Sequence, residues 1–334
     1  MSGPFDALSD EERDALEARD HPDWLDPMLA TLTHDHFSDP DWIYERKLDG
    51  ERCLAFRDGD RVRLLSRNRK QLNDSYPELE EAVAGQPEND FVIDGEIVAF
   101  SGNVTSFQRL QARMQVKDRD QARASGVAVH LYVFDILHLD GQGTEKLPLR
   151  ARKGMLKRAL DFGDRLRFTV HRNESGEAWL EEACRRGWEG LIAKDAAAPY
   201  VHSRSKKWLK FKCGHQQELV IGGYTEPEGD RTGFGALLLG YHDDGELVYA
   251  GKVGTGFDDD TLRRLGQRLA SRERSTPPYD RGQLPSKGVH WVRPDLVAEV
   301  GFTEWTSGGR LRHPRFLGLR WDKDAEDVVR EDRS

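Results

Sequence analysis

The sequence predicts an α+β protein of two domains, a mixed domain of strands and helices followed by a small all-β domain. Strand patterns alternate with amphipathic helix patterns as far as Lys212, composition changes at Gly214, and five short strand patterns with one inserted helix follow. The chain of 334 residues is long enough for two domains of ordinary size. We therefore assign residues 1–26 to an acidic N-terminal lead, 27–213 to the mixed domain and 214–334 to the β domain.

The composition, with 37% hydrophobic and 33% charged residues, is typical of a soluble globular protein. No apolar run approaches the roughly 20 residues that a membrane span needs, and the N-terminus is acidic where a signal peptide would be basic. We expect a cytoplasmic protein that does not enter a membrane. Cys53, Cys184 and Cys213 are widely spaced, so they are expected to be buried thiols and not a disulfide framework or a zinc site.

The net charge of −9 is unevenly distributed along the chain. Residues 1–40 hold eleven carboxylates and two arginines, so the other 294 residues sum to zero. Basic residues cluster within 61–70 and again within 204–212. A local basic surface can contact phosphates whatever the global charge, although either cluster taken alone is also typical of a solvated charged face.

Periodicity predicts the elements of the mixed domain. A capping box at Ser9 and Glu12 opens a short helix in a lead that we expect to be peripheral. The Asp49-Gly50 pair predicts a tight reversal between the first two strands, because glycine accepts a positive φ. Strands are predicted at 42–44, 53–56, 62–66, 91–100, 129–137, 190–193 and 208–212, and helices at 77–84, 106–116, 150–160 and 175–186.

The second domain reads as a small Greek-key barrel of the oligonucleotide-binding type, since it has five short strands and one inserted helix. The predicted strands are 218–224, 235–242, 246–253, 296–304 and 316–321, with the helix at 258–269.

Lys47 is either a surface charge or a covalent nucleophile. A lysine amine attacks phosphorus only after losing its proton, which requires nearby cations or desolvation. Arg46 and Arg52 supply positive charge, and Glu45 and Asp49 can orient the amine or a ligand hydroxyl. The pattern Lys-x-Asp-Gly-x-Arg is weak evidence alone, because lysines beside an Asp-Gly turn are usually solvated.

The Lys47 pattern is the first of seven short motif segments that follow one another along the chain. They are KLDGER at 47–52, SRN at 66–68, DGE at 94–96, YVFD at 132–135, EGLIAK at 189–194, WLKFK at 208–212, and RHPR at 312–315 with RWDK at 320–323. Across residues 27–325 the chain resembles the covalent lysine nucleotidyltransferases, most closely ATP-dependent DNA ligases of the kind found in bacterial end-joining ligases. The resemblance implies a nucleotidyltransferase domain, ATP-grasp-like with antiparallel sheets and helices, followed by an OB-fold barrel.

The resemblance also implies roles. Lys47 would attack the α-phosphate of ATP and keep AMP as a phosphoramidate, while Lys210 and Lys212 stabilise the developing charge. Glu96, Glu189 and Asp49 would hold Mg²⁺ or Mn²⁺. The expected nucleotide contacts are Glu45, Leu48, Arg52, Arg67, Glu96, Phe134 (stacked on adenine), Lys194, Lys210 and Lys212, with Arg320, Asp322 and Lys323 of the β domain orienting pyrophosphate.

Structural alternatives stay open for several of these residues. Lys210 and Lys212 would equally suit the outer face of an edge strand, Glu189 a solvated loop, and Phe134 an apolar core. Arg312 and Arg315 can be salt-bridged barrel surface.

The resemblance implies transfer of AMP to the 5′-phosphate of nicked double-stranded DNA and sealing by the 3′-hydroxyl. It also implies double-strand-break repair at the bacterial nucleoid by a monomer, with a Ku-type end-binding protein and a separate polymerase or nuclease as partners. An RNA ligase or an mRNA-capping-type enzyme is the alternative, since the core chemistry is the same. A non-catalytic nucleic-acid-binding OB protein is a remote alternative, because the lysines and carboxylates of the motifs are all present.

Overall fold

The computed structural model describes residues 3–114, 116–227, 229 and 232–331. The chain divides into two compact units, Met1–Cys213 and Gly214–Ser334, and each is described by itself.

The first unit mixes short helices with strands. In chain order its elements are α1 (Asp10–Asp14), β1 (Glu17–Ala18), β2 (Leu29–Leu32), β3 (Trp42–Arg46), β4 (Glu51–Asp58), β5 (Arg61–Ser66), α2 (Pro77–Ala84), β6 (Asp90–Ser101), β7 (Val104–Thr105), α3 (Phe107–Met114), α4 (Arg119–Ala124), β8 (Val129–Leu139), β9 (Gln142–Gly143), α5 (Leu149–Ala159), β10 (Leu166–Phe168), β11 (His171–Asn173), α6 (Gly176–Arg185), β12 (Gly190–Asp195) and β13 (Arg204–Lys212).

Two mostly antiparallel sheets organise this unit. The larger has the strand order β1-β9-β8-β6-β4-β5, with β7 added to β6 and β10 parallel to β8. The smaller has the order β11-β3-β12-β13-β2, in which β13 and β2 are parallel. Side chains from both sheets share one core that includes Met28, Leu54, Phe134 and Trp208.

Buried ion pairs reinforce this core. Asp94, in the apolar strand β6, receives two hydrogen bonds of 2.5 Å from Arg52 and one of 2.6 Å from the Tyr200 hydroxyl. Asp135 receives bonds of 2.7 and 2.9 Å from Arg152, and both side chains are fully buried. The carboxylate of Asp94 thus has the partners that its burial requires, since removing one partner of a buried pair typically costs about 3–5 kcal/mol.

The reversal predicted at Asp49-Gly50 is wrong. β3 belongs to the smaller sheet and β4 to the larger, so residues 47–50 cross from one sheet to the other and do not close a hairpin. Gly50 is needed for a different reason: a Cβ on it would lie 2.1 Å from the Ile97 carbonyl oxygen. The strands predicted at 53–56 and 62–66 are present, as the antiparallel β4–β5 pair.

The end of the lead is part of the larger sheet and is not peripheral. β1 pairs with β9, and the Arg19 guanidinium donates to Glu145 at 2.7 Å and to the Leu137 carbonyl at 3.1 Å. The predicted capping box at Ser9 and Glu12 is present at the start of α1.

The prediction of three buried thiols holds for Cys53 alone. Cys184, at the end of α6, and Cys213, directly after β13, form a disulfide with a Cα–Cα distance of 5.2 Å. The sequence spacing gave no sign of this pair, because the two cysteines are 29 residues apart and meet only when α6 packs on the smaller sheet.

The second unit is mainly β. Its elements are β14 (His215–Thr225), β15 (Leu237–Asp243), β16 (Glu246–Val253), α7 (Asp259–Ala270), β17 (Glu273–Arg274), β18 (Val289–Phe302), β19 (Glu304–Trp305), β20 (Leu311–Arg312), β21 (Arg315–Leu319) and a 3-10 turn at Ala325–Asp327. The main sheet has the order β16-β15-β14-β18-β17, with β21 also paired to β18. Its apolar face and α7 enclose a separate core that includes Phe234, Leu265 and Val300.

Among the described residues, no helix is long and apolar enough to cross a membrane.

Candidate active site

Three strands of the smaller sheet place nine residues in a grid on one face. Residues directly opposite each other in neighbouring strands share a face, and so do residues two apart in one strand. The hydrogen bond from the Lys47 N–H to the Gly190 carbonyl, 2.9 Å long, continues the ladder one step past β3. The three rows, read across β3, β12 and β13, are Ile43–Lys194–Trp208, Glu45–Ile192–Lys210 and Lys47–Gly190–Lys212.

The grid brings together five residues that the sequence predicts for the nucleotide site. Glu45, Lys47, Lys194, Lys210 and Lys212 come from three separate segments and lie on the same face. β13 lies between β12 and β2, so the edge-strand alternative for its two lysines is wrong.

A glycine separates the two amines of the last row. Gly190 has φ +148°, and a Cβ on it would lie 2.0 Å from the Phe211 carbonyl oxygen. A side chain at this position would therefore require the backbone to move. The row from Lys47 to Lys212 therefore has no side chain at its middle position.

Glu189 contacts the candidate nucleophile directly. Its Oε1 lies 2.5 Å from the Lys47 Nζ, and the two side chains are 7% and 19% exposed. Its Oε2 is buried without a hydrogen-bond partner among the residues that the structure describes. The solvated-loop alternative for Glu189 is therefore wrong.

The larger sheet contributes Arg52, Glu96 and Phe134. Arg52 pairs in register with Glu96, and Glu96 pairs with Tyr132 on the next strand. The register of β6 and β8 shifts between Asp94 and Gly95, so Phe134 is an extra residue without a partner across the ladder. Burial opposes the charge of Arg52, but the ion pair with Asp94 raises its pKa above the ordinary value.

Phe134 lies where the two sheets meet. The Arg52 guanidinium is 4.7 Å and the Lys194 Nζ 4.2 Å from the centre of its ring, both within cation–π distance. Lys194 also lies 4.0 Å from the ring of Trp208. The ring is 9% exposed and belongs to the shared core, so its stacking on adenine stays a prediction.

Two residues of the grid, Glu45 and Lys194, form a buried network with Lys153 of α5. Glu45 is 2% exposed and contacts the Lys153 Nζ at 2.5 Å and the Lys194 Nζ at 2.6 Å. Burial alone would raise the pKa of Glu45, but the two ammonium groups hold it below its usual value. Burial lowers the pKa of Lys194 to about 8, with Lys153 adding to the effect and Glu45 opposing it.

Sequence reasoning missed Lys153. The sequence does contain a pattern that indicates a buried Lys153: Leu149, Arg152, Lys153 and Leu156 follow helical spacing and so share one face. In α5 all four are buried. Two cations on the apolar face of a helix require buried partners, which are Asp135 for Arg152 and Glu45 for Lys153.

The segment that joins the two sheets carries two more predicted residues. Leu48 and Asp49 are half-buried there, and the Asp49 N–H donates to the Thr105 hydroxyl at 3.3 Å. Arg67 lies in the turn directly after Ser66, the last residue of β5, which pairs with Cys53.

The predicted pyrophosphate contacts belong to the second unit. Arg320 binds Glu299 at 2.6 Å and Asp322 at 2.8 Å, and Lys323 contacts Glu218 at 3.2 Å. Burial opposes the charge of Arg320, yet these carboxylates raise its pKa. The role of this network toward pyrophosphate stays a prediction. Arg312 binds Glu304 at 2.6 Å on the exposed surface.

Comparison with known proteins identifies the family. Residues 27–212 match the model described as ATP dependent DNA ligase domain, and residues 230–323 match the ATP dependent DNA ligase C terminal region. The chain belongs to the ATP-dependent DNA ligase family. The predicted resemblance and the predicted fold class, a nucleotidyltransferase domain followed by an OB-fold domain, are thereby confirmed.

Relatives of this ligase include longer proteins. The multifunctional non-homologous end joining protein LigD of Pseudomonas aeruginosa is 37% identical over 319 residues, covering 93% of this chain and 37% of that protein. LigD of Mycobacterium tuberculosis is 37% identical over 318 residues, covering 92% of this chain and 40% of that protein. The ligase chain thus spans about two fifths of the length of these relatives.

One solved structure resembles this ligase over nearly all of its length. It is mycobacterial DNA ligase D complexed with ATP and MES, which matches with a TM-score of 0.66 at 34% identity and covers 92% of this chain and 98% of that one.

The buried amine of Lys194 should titrate with a midpoint near pH 8, because burial lowers its pKa to about that value. Exposed lysines titrate near the ordinary pKa of about 10.4, so ¹³C NMR of the lysine ε-carbons distinguishes Lys194 from them. The signal that is missing in Lys194→Arg is assigned to Lys194. Since unfolding restores the ordinary pKa, this group makes the folded state more stable as the pH rises from about 8 toward 10. A Lys194 midpoint among those of the exposed lysines would contradict the electrostatics described.

Proposed function

We propose that this chain is an ATP-dependent DNA ligase that works through a lysyl-AMP intermediate on Lys47. The row Lys47–Gly190–Lys212 carries the proposal. It has a lysine at each end and a glycine between them, and Lys210 lies on the same face one row away. Three cationic side chains on one face suit the negatively charged α-phosphate.

In the first step the Lys47 Nζ, having lost its proton, attacks the α-phosphorus of ATP. An N–P bond forms, the bond from the α-phosphorus to the bridging oxygen breaks, and pyrophosphate leaves. Lys210 and Lys212 are positioned to neutralise the charge that builds on the phosphate oxygens, and preorganised charges of this kind usually provide much of the catalysis.

Glu189 controls when Lys47 can react. A carboxylate at 2.5 Å favours the charged ammonium form of an amine, which has no lone pair for attack. The contact must therefore open before the first step. Binding of ATP brings the anion that can replace Glu189 as the partner of the surrounding cations.

The carboxylates fit the divalent ion that the family implies. Glu189 offers a buried Oε2 without a hydrogen-bond partner among the described residues, and Glu96 and Asp49 add further oxygens. Such hard-oxygen ligands suit Mg²⁺ or Mn²⁺. When bound, the ion would supply positive charge beside the phosphate and compete with Lys47 for Glu189.

The later steps use the stored AMP. A phosphate oxygen at the 5′ end of a nick attacks the AMP phosphorus, the N–P bond breaks, and Lys47 recovers its amine. The 3′-hydroxyl then attacks the 5′-phosphorus, the phosphodiester forms and AMP leaves. Because LigD relatives are named for non-homologous end joining, we extend this role to the present chain, acting at the nucleoid with a Ku-type protein and a polymerase or nuclease.

A cavity of about 660 Å³, lined in part by the sequence neighbours of Lys47 and Glu189, suits the nucleic acid. Arg46, directly before Lys47, and Trp188, directly before Glu189, both line it, together with Arg167 and Arg186. The lining contains arginines, aromatic rings and neutral groups but no carboxylate. This combination binds phosphates and stacks on bases.

Arg46 is the cation of this cavity best placed for a phosphate. Its guanidinium lies 4.3 Å from the centre of the Trp188 ring and 5.6 Å from that of Phe100. Its Nε is buried without a hydrogen-bond partner among the described residues, and burial lowers the pKa of the group. An incoming phosphate would provide the missing counter-charge.

Lys47→Ala should reduce sealing of nicked DNA with ATP and Mg²⁺ by on the order of 10³-fold or more, because the nucleophile is lost. The same variant should still seal a nick whose 5′ end already carries AMP, since that step needs no N–P bond. Gel assays on the two substrates, with nicked RNA as a third, measure this.

The control for this variant is Lys207→Ala, which removes an exposed lysine of β13 paired with Asp195. It should seal both DNA substrates at the wild-type rate. Normal sealing of the ordinary nick by Lys47→Ala would refute the lysyl-AMP route, and faster sealing of RNA than of DNA by the wild type would favour the RNA-ligase alternative.

Arg46→Ala should weaken binding to nicked DNA, because it removes a phosphate contact in the cavity. The slope of log K against log salt should become shallower by about 1, the change expected for one lost phosphate contact. Fluorescence anisotropy at several salt concentrations measures both quantities.

Arg185→Ala is the matched control, since this neighbouring arginine is 73% exposed and does not line the cavity. It should leave both affinity and slope unchanged. Equal effects of the Arg46 and Arg185 substitutions would show that the cavity is not part of the DNA interface.

A further inference from the structure

Two histidines and one aspartate converge at the end of the larger sheet, away from the grid. Asp90 is the first residue of β6, His138 lies near the end of β8, and His21 follows β1 in the N-terminal segment. The His21 Nδ1 lies 2.7 Å and the His138 Nε2 3.1 Å from Asp90 Oδ1. One potential ligand atom from each residue lies within 4.8 Å of the other two.

The backbone fixes this arrangement. His138 is opposite Val92 in the β6–β8 ladder, and the Asp140 N–H donates to the Asp90 carbonyl at 2.9 Å. The Gly141 N–H donates to Asp90 Oδ2 at 2.8 Å, which orients the carboxylate. The two β strands and the loop after β8 therefore hold Asp90 and His138 in place before His21 is added.

The ring nitrogens of both histidines converge on Asp90. Each ring directs one nitrogen at Asp90, and the other nitrogen, His21 Nε2 or His138 Nδ1, is buried without a hydrogen-bond partner among the described residues. Neutral imidazole is the commonest metal ligand in proteins.

The spacing of the three groups fits a four-coordinate ion. A tetrahedral Zn²⁺ with ligand bonds of about 2.0–2.1 Å places its ligand atoms about 3.3 Å apart. The measured separations of 2.7 and 3.1 Å are shorter than this by about 0.6 and about 0.2 Å. The Asp90 side chain is 26% exposed and that of His21 10%, so water can reach the fourth position.

We propose that His21, Asp90 and His138 form a binding site for a divalent transition metal ion of the zinc type, which fastens the N-terminal segment to the larger sheet. The donor set of two nitrogens and one oxygen suits such ions better than Mg²⁺, which prefers oxygen ligands. The site is separate from the ligase chemistry. Asp90 and Glu96 are six residues apart on one extended strand, about 20 Å at roughly 3.3 Å per residue.

The test is a calorimetric titration of the full chain with Zn²⁺, after removal of metals and in the presence of excess Mg²⁺ to occupy oxygen-ligand sites. One equivalent should bind. His21→Gln and Asp90→Asn should each weaken this binding at least about tenfold, the size of effect seen even when only a supporting partner of a metal ligand is removed. Zn²⁺ should also raise the unfolding temperature of the wild type but not of these variants.

His202→Gln is the matched control, because His202 also lies near a carboxylate, 3.6 Å from Glu145, but belongs to no group of three potential metal ligands among the described residues. It should bind Zn²⁺ like the wild type. Absence of a Zn²⁺ equivalent in the wild type, or binding unchanged in both site variants, would show that the three residues form only a hydrogen-bonded cluster.

Formation of lysyl-AMP provides the check on folding. His21→Gln and Asp90→Asn should form the adduct at the wild-type rate, since neither side chain belongs to the grid. Loss of the adduct together with loss of Zn²⁺ binding would mean that the variants are misfolded. His21→Ala would then decide: retained adduct with lost Zn²⁺ binding supports the site, and retained Zn²⁺ binding overturns it.

Discussion

The register of β3, β12 and β13 is the constraint on which the candidate active site depends. A shift of one residue in any of these strands would turn its functional side chains to the opposite face, because side chains alternate along a strand. Glycine at position 190 helps to fix this register, since only a residue without a side chain fits against the Phe211 carbonyl. The same glycine puts no side chain between Lys47 and Lys212 in the grid.

Buried charges hold the two sheets of the first unit in place around that grid. Asp94 joins Arg52 of the larger sheet to Tyr200 in the loop after the smaller sheet's β12, and Glu45 joins Lys194 to Lys153 of α5. Buried ion pairs add little net stability compared with apolar packing, but a broken pair is costly. They therefore favour one arrangement of the sheets over others, which a site built from both sheets requires.

The sequence predicted the parts of this site whose signals are local. The predicted strand at 208–212 separates Lys210 and Lys212 by two residues, which puts both on one face. Interactions between distant segments could not be predicted in this way. An Asp-Gly pair indicates a change of chain direction but not which sheet the next strand joins. Nothing near Lys153 or Cys184 in the sequence identifies Glu45 or Cys213 as the partner.

The most direct test of this account is to locate the AMP on the protein. The chain is loaded with ATP and Mg²⁺, digested under mildly alkaline conditions that preserve a phosphoramidate, and its peptides are analysed by mass spectrometry. The account predicts one AMP per chain, on Lys47. AMP on Lys194, Lys210 or Lys212, which share the same face, or on no lysine, would contradict it.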